Sequence, residues 1–113
     1  MDTTQSTQNY RTVDPSEFAE VVKSPDVFEI DVRPAEMFEE GHIAGAHNMP
    51  LGNPDFLENA KKNLPAGKTI AVNCLTGMHS AIASDELSKA GYNVVNLNGG
   101  LNAWEAAGLP VVK

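Results

Sequence analysis

Three short β-favouring runs, at residues 27–32 (VFEIDV), 69–73 (TIAVN) and 94–97 (VVNL), alternate with stretches of helical patterning. This alternation limits the fold more than any other feature of the chain. Strands that alternate with helices are joined by crossovers, which points to an α/β fold with a mostly parallel central sheet flanked by helices. Such crossovers are right-handed. The run at 69–73 is largely apolar, as expected for the buried middle of a parallel sheet.

Punctuation residues divide the rest. Asp14-Pro15-Ser16-Glu17 reads as a helix start, with an acceptor side chain at the cap, proline in the first turn and Glu17 placed to reach back. Phe18, Val21 and Val22 then share one helical face. Residues 34–40 fit a short helix closed by Gly41. Residues 41–50 (GHIAGAHNMP) are turn-rich and hold at most a short extended piece. Asn53-Pro54-Asp55 opens another helix, with Phe56, Leu57 and Ala60 on one side. A helix is expected from about residue 80 to 90, where Ala83, Leu87 and Ala90 recur at helical spacing before Gly91. Gly99-Gly100 ends the last strand, and residues 101–107 form a final helix carrying Trp104. At 113 residues the chain has room for one core. The reading is a flexible polar tail over residues 1–10 and a single domain over 11–113.

Charge and cysteine usage narrow the function. The net charge of −7 is spread along the chain, which disfavours nucleic acid or an anionic membrane as a partner, since either requires a basic face. A small anionic substrate would have to be attracted locally, against the global field. No apolar run approaches the length of a membrane span, and residues 1–10 lack the basic-then-apolar order of a secretory signal. The expected location is therefore the cytoplasm. A single cysteine cannot form an intramolecular disulfide, which agrees with a reducing compartment. His42, His47 and His79 show no paired ligand spacing with Cys74, so no metal site is expected.

Cys74 stands just past the apolar run 69–73 and just before the next helix. In open α/β sheets, ligands bind beyond the carboxyl ends of the strands. The intervening Leu75-Thr76-Gly77-Met78 is short and contains a glycine, so successive backbone N–H groups can turn toward one point. The helix N-terminus adds its own unpaired N–H groups and the positive end of its dipole. Together they form an anion cradle from backbone alone, at whose rim a thiolate is stabilised. Local features leave two readings open: a nucleophile displayed at this turn, or a buried cysteine that fills space. No lysine follows the glycine, so the segment is not a nucleotide P-loop.

Three segments resemble the single-domain rhodaneses, the thiosulfate sulfurtransferase-like proteins. "IDVRPAEMFEEGHIAGAHNMP" resembles that family's Asp-Val-Arg strand end with the Gly-His-Ile and Gly-Ala-x-Asn-Ile-Pro that follow. "CLTGMHSA" resembles its Cys-x-x-Gly-x-Arg-Ser active loop. "GYNVVNLNGGLNAWEAAGLPV" resembles its closing Gly-Tyr, Leu-x-Gly-Gly, Ala-Trp and Gly-Leu-Pro pattern. The resemblance covers about residues 11–112 and implies the three-layer rhodanese-like fold. It implies that Cys74 takes a sulfane sulfur from a donor anion such as thiosulfate, becomes a persulfide, and passes the sulfur to a thiophilic acceptor. That acceptor would be cyanide, a small thiol or an acceptor protein. It also implies a substrate-binding loop of Leu75, Thr76, Gly77, Met78 and His79, bounded by Ser80, with no cofactor. A monomer is the expected state.

One departure stands out. The family's loop arginine is replaced by His79. Arginine is always charged and can hold an oxyanion with two donors, whereas histidine carries its charge for only part of the near-neutral range. His79 is read either as a substrate contact or as a solvent-facing residue of the helix start. Arg33 is a second candidate cation at the same sheet edge, a possible substrate-binding residue; pairing with Asp31 or Glu36 as a structural clasp is the favoured reading. His42, His47 and Trp104 are read as structural. Two other functions compete with sulfur transfer. A cysteine-dependent phosphatase or arsenate reductase uses a related cradle but places arginine where this chain has Ser80. A catalytically weak or inactive rhodanese-fold module that binds a protein would fit the missing arginine, whereas Cys74 and Gly77 argue against it.

Overall fold

The computed structural model describes residues 10–113. Along them run β1 (Tyr10–Val13), α1 (Pro15–Val21), β2 (Val27–Asp31), α2 (Ala35–Glu40), β3 (His47–Asn48), α3 (Phe56–Asn63), β4 (Thr69–Asn73), α4 (Met78–Lys89), β5 (Asn93–Leu97) and α5 (Gly100–Ala106). The strands make one sheet in the order β1-β5-β4-β2-β3, with every neighbouring pair parallel. The expected α/β architecture is present, and the sheet is parallel throughout rather than mostly so.

β4 lies at the centre, and Ile70, Ala71, Val72 and Asn73 are all 0% exposed. Burial on both faces accounts for its unbroken apolar run. Ile70 and Val72 join Ile30, Val32 and Val94 under α3 and α4, which contribute Phe56, Ala60, Ala83 and Leu87. Ala71 joins Val13, Val95 and Leu97 on the opposite face, under Phe18 of α1 and Leu101 and Trp104 of α5. The molecule is therefore a helix–sheet–helix sandwich, and Cys74 belongs to the α3/α4 side.

Three sequence expectations need correction. β1 was not anticipated; Tyr10, assigned to the tail, pairs with Val94 of β5. The remainder of that tail, residues 1–9, lies outside the described residues. α4 begins at Met78, two residues earlier than expected, so Met78 and His79 form a helical turn rather than loop. Glu17 does not reach back to the cap. Asp14 caps α1 by accepting from the Glu17 N–H at 2.9 Å, while the Glu17 carboxylate meets Arg11 at 3.2 Å.

The residues read as structural are placed as follows. Trp104 donates its indole N–H to the Pro110 carbonyl at 2.9 Å and meets Phe18 edge to face. His42 stacks on Phe38, and its backbone bridges to Val112. His47 stacks on Phe28.

Candidate active site

The site is built where β4 ends. Asn73 is the last residue of the central strand, and Cys74 follows it directly. Gly77 turns the chain into α4 with φ +99°, in the left-handed region that glycine enters without penalty. That turn points two backbone donors at the cysteine sulfur. The Gly77 N–H reaches Sγ at 3.0 Å and the Ser80 N–H at 3.2 Å. The Ser80 hydroxyl is a third neighbour. It accepts from the Cys74 thiol at 3.4 Å and donates to the Gly77 carbonyl at 3.3 Å. Ser80 is wholly buried and Cys74 is 2% exposed, so these contacts are shielded from water. Met78 and His79 sit in the first turn of α4, where backbone N–H groups have no partner inside the helix.

The outer side of the loop is held by α5. Leu101 N–H donates to the Cys74 carbonyl at 2.8 Å, and Asn102 N–H donates to the Leu75 carbonyl at 3.0 Å. These two bonds pin the outer face of the loop to the start of α5. Close approach of α5 requires glycine. A Cβ on Gly100 would stand 2.5 Å from the Leu75 carbonyl carbon and oxygen, and one on Gly77 would stand 3.0 Å from the Gly99 nitrogen. Gly99-Gly100 therefore does more than end a strand.

Beneath the loop lies a buried polar cluster. Asp31 accepts from Arg33 Nε at 3.0 Å and Nη2 at 2.9 Å, and Nη2 also donates to the Gly41 carbonyl at 2.7 Å. Asn73 Nδ2 donates to Asp31 at 3.2 Å, and it stands 3.4 Å from the Cys74 carbonyl. Asn48 Nδ2 ties the Asp31 and Arg33 carbonyls together. Arg33, 6% exposed, is thus a clasp between β2 and the chain after α2. The clasp partner is Asp31, and the clasp engages Nε and Nη2 of the guanidinium; Arg33 also lines a cavity of about 190 Å³ with Leu75 of the loop.

Of the sequence-derived loop residues, Leu75 is half-buried, while Thr76, Met78 and His79 are exposed. His79 lines a cavity of about 210 Å³ with Val32, Pro34, Leu51 and Gly52. The hydroxyl of Ser80 and the carbonyl-holding role of α5 were not foreseen. The Ser at the position after His79 was the one available sequence signal.

A rhodanese-like domain matches residues 14–107, most of the chain and all of the site just described. The chain belongs to the rhodanese-like domain family. The chloroplastic thiosulfate sulfurtransferase 16 of Arabidopsis thaliana is 37% identical over 91 residues, covering 72% of this chain and 76% of that protein. An uncharacterized protein of Synechocystis is 36% identical over 111 residues, covering 96% of this rhodanese-like chain. The chain spans only 59% of that Synechocystis relative's length. Among solved structures, a rhodanese-related protein from Thermoplasma volcanium superposes with a TM-score of 0.80 at 34% identity, over 91% of this chain and 98% of its own. The fold and the family are those the sequence resemblance implied.

Proposed function

We propose that this rhodanese-like protein is a sulfurtransferase that carries sulfane sulfur as a persulfide on Cys74. The observation that carries the reading is the convergence of the Gly77 and Ser80 N–H groups on Sγ, at 3.0 and 3.2 Å. Sulfurtransferase relatives at 31–37% identity support it. Donors fixed before the reaction stabilise negative charge on sulfur without reorganising during it. In the first half-reaction the Cys74 thiolate attacks the outer sulfur of thiosulfate. A new S–S bond forms, the bond within the donor breaks, and sulfite leaves with its electron pair. The enzyme then holds a persulfide anion. In the second half-reaction a thiophilic acceptor, cyanide or a thiol, takes the outer sulfur and returns the thiolate. This is covalent catalysis by an activated nucleophile. It needs neither a metal nor an organic cofactor.

Incubation with thiosulfate followed by intact mass measurement tests the reading. The expected result is a gain of one sulfur atom, reversed by cyanide with release of thiocyanate. Cys74→Ser, which is close in shape but cannot carry sulfane sulfur, should stay folded by circular dichroism and gain nothing. No mass gain in the unaltered protein would leave a non-catalytic module. A gain that persists in Cys74→Ser would place the chemistry elsewhere.

A further inference from the structure

Asn73 closes the central strand and directly precedes the nucleophile. It is 0% exposed. Its amide nitrogen donates to Asp31 Oδ2 at 3.2 Å and stands 3.4 Å from the Cys74 carbonyl. Its amide oxygen is buried with no hydrogen-bond partner among the described residues. An unpaired buried acceptor costs stability, and an apolar side chain of the same shape would remove that cost. Packing alone therefore does not account for an amide here. Turning the amide over gives no relief, because its oxygen would then face the Asp31 carboxylate, acceptor against acceptor. Asp31 thus sets the sense of the Asn73 amide.

Both groups that Nδ2 meets are anchored on their other sides. Asp31 accepts from Arg33 Nε at 3.0 Å and Nη2 at 2.9 Å, and Nη2 also donates to the Gly41 carbonyl at 2.7 Å. The Cys74 carbonyl accepts from the Leu101 N–H of α5 at 2.8 Å. Among the described residues, Asn73 is the only donor that meets both Asp31 and the Cys74 carbonyl. The chain of contacts therefore runs from the clasp after α2, through β2 and β4, to the start of the active loop.

Resting on the sulfur-transfer reading, we propose that Asn73 is a positioning residue that ties the Asp31–Arg33 clasp to the Cys74 main chain. Rotation of the Cys74 backbone would carry Sγ away from the Gly77 and Ser80 N–H groups, which α4 and its entry turn hold at 3.0 and 3.2 Å. Leu101 restrains that rotation from the α5 side, and Asn73 restrains it from the β2 side. The bonds of Asn73 go to Asp31 and to the Cys74 carbonyl rather than to the sulfur, so it acts through Cys74. The unpaired amide oxygen is the cost of placing a two-hydrogen donor at this point.

Two variants of the full chain test this. Asn73→Leu keeps the bulk and removes the donor. Persulfide loading from thiosulfate, read by rapid quenching and intact mass, should slow about tenfold or more, since a small displacement of a reacting group carries a rate cost of that order. Amide hydrogen exchange, which needs no sulfur transfer, should quicken at Gly77 and Ser80 while the amides of β4 and of α4 around Leu87 keep their protection. A general loss of stability would instead quicken all of them together. Asn73→Asp keeps the shape and supplies a donor only when protonated. The charged groups around the position are Asp31, its partner Arg33, and Glu29 on the same face of β2, whose titration is common to variant and parent. Beside the Asp31 carboxylate the introduced carboxyl keeps its proton above the ordinary range and donates it to Asp31. The loading rate of Asn73→Asp, divided by that of the parent at the same pH, should therefore be partly restored at the acid end and fall as pH rises. Should Asn73→Leu fail to fold, the Asn73→Asp series decides by itself. Parental loading and exchange in Asn73→Leu, or a ratio flat with pH in Asn73→Asp, overturns this inference and leaves sulfur transfer standing. A parent that takes up no sulfur overturns the sulfur-transfer reading, and exchange at Gly77 and Ser80 then still decides whether Asn73 holds the loop.

Discussion

Ser80 meets the cysteine sulfur twice, through its backbone N–H and its hydroxyl. The two contacts differ in kind. The N–H is fixed by the helix and persists whatever side chain is present. The hydroxyl is a rotor. Facing a thiol, it can give its hydrogen to the Gly77 carbonyl and accept from S–H; facing a thiolate, it can turn and donate to sulfur. Ser80→Ala removes only the second role. A hydrogen bond to a charged group contributes roughly 1.5–3 kcal/mol, so persulfide loading should slow about tenfold or more, while the fold is kept. Rapid quenching followed by intact mass gives the loading rate; an unchanged rate would mean that the two backbone donors suffice. At this scale much of the site was legible. Cys74 and Gly77 were marked by position, a lone cysteine and a glycine between a strand and a helix. The Arg33 clasp was legible because Asp31 and Arg33 lie two apart at a strand end. The setting of His79 was not, since its direction depends on where α4 starts, and a start at Met78 rather than Ser80 rotates it by two residues.

The glycines of the active loop and of the α5 start form a matched set. Gly77 and Gly99 approach each other, and Gly100 lies against the Cys74 and Leu75 carbonyls with φ +63°. Gly100→Ala should therefore carry two costs, the left-handed backbone and a methyl pressed on main-chain atoms that cannot swing away. The first is about 1–2 kcal/mol and the second about 1–3 kcal/mol. Gly108→Ala separates them, because Gly108 has φ +81° but open space where its Cβ would lie. Urea unfolding should show Gly100→Ala to be the more damaging, and persulfide loading should fall only in Gly100→Ala. Equal effects would show that α5 does not brace the loop. The same scale explains what was legible among the elements. β4 announced itself because a strand buried on both faces is apolar throughout. α4 announced its end, where Gly91 adopts φ +100° and Tyr92 N–H returns to the Leu87 carbonyl. β1 was hidden for the opposite reason. It is a four-residue edge strand whose Arg11 and Thr12 are exposed, so neither its length nor its polarity separates it from a tail. Gly99-Gly100 was legible as a break but not as a brace, because the partner carbonyls lie some 25 residues away.

For the molecule as a whole, the acidic balance conceals a second buried acid beside the clasped Asp31. Glu29 lies in β2, 6% exposed, opposite Ala71 in the register and two residues from Asp31. Its Oε2 is buried without a hydrogen-bond partner among the described residues. Burial, assisted by the Asp31 charge, pushes its carboxyl up to about 9 from an ordinary 4.5. The unfolded chain releases this proton near 4.5, whereas the folded chain keeps it until about 9. Between those values the folded state binds more protons, so stability falls as pH rises across the window. The stability is fully present below the unfolded value and is lost progressively up to the folded one. Each unit of separation corresponds to about 1.4 kcal/mol, so the loss between about pH 5 and 7 is on the order of 2–3 kcal/mol. Glu29→Gln keeps the size and removes the ionisation. It should match or slightly trail the parent near pH 5, overtake it by pH 7, and widen the gap toward pH 9. Urea unfolding of both proteins at each pH measures the difference, in which the titration of every other group largely cancels. Parallel stability profiles would show that Glu29 ionises in the folded state as freely as in the unfolded one, and that the interior around β2 admits enough water to solvate it.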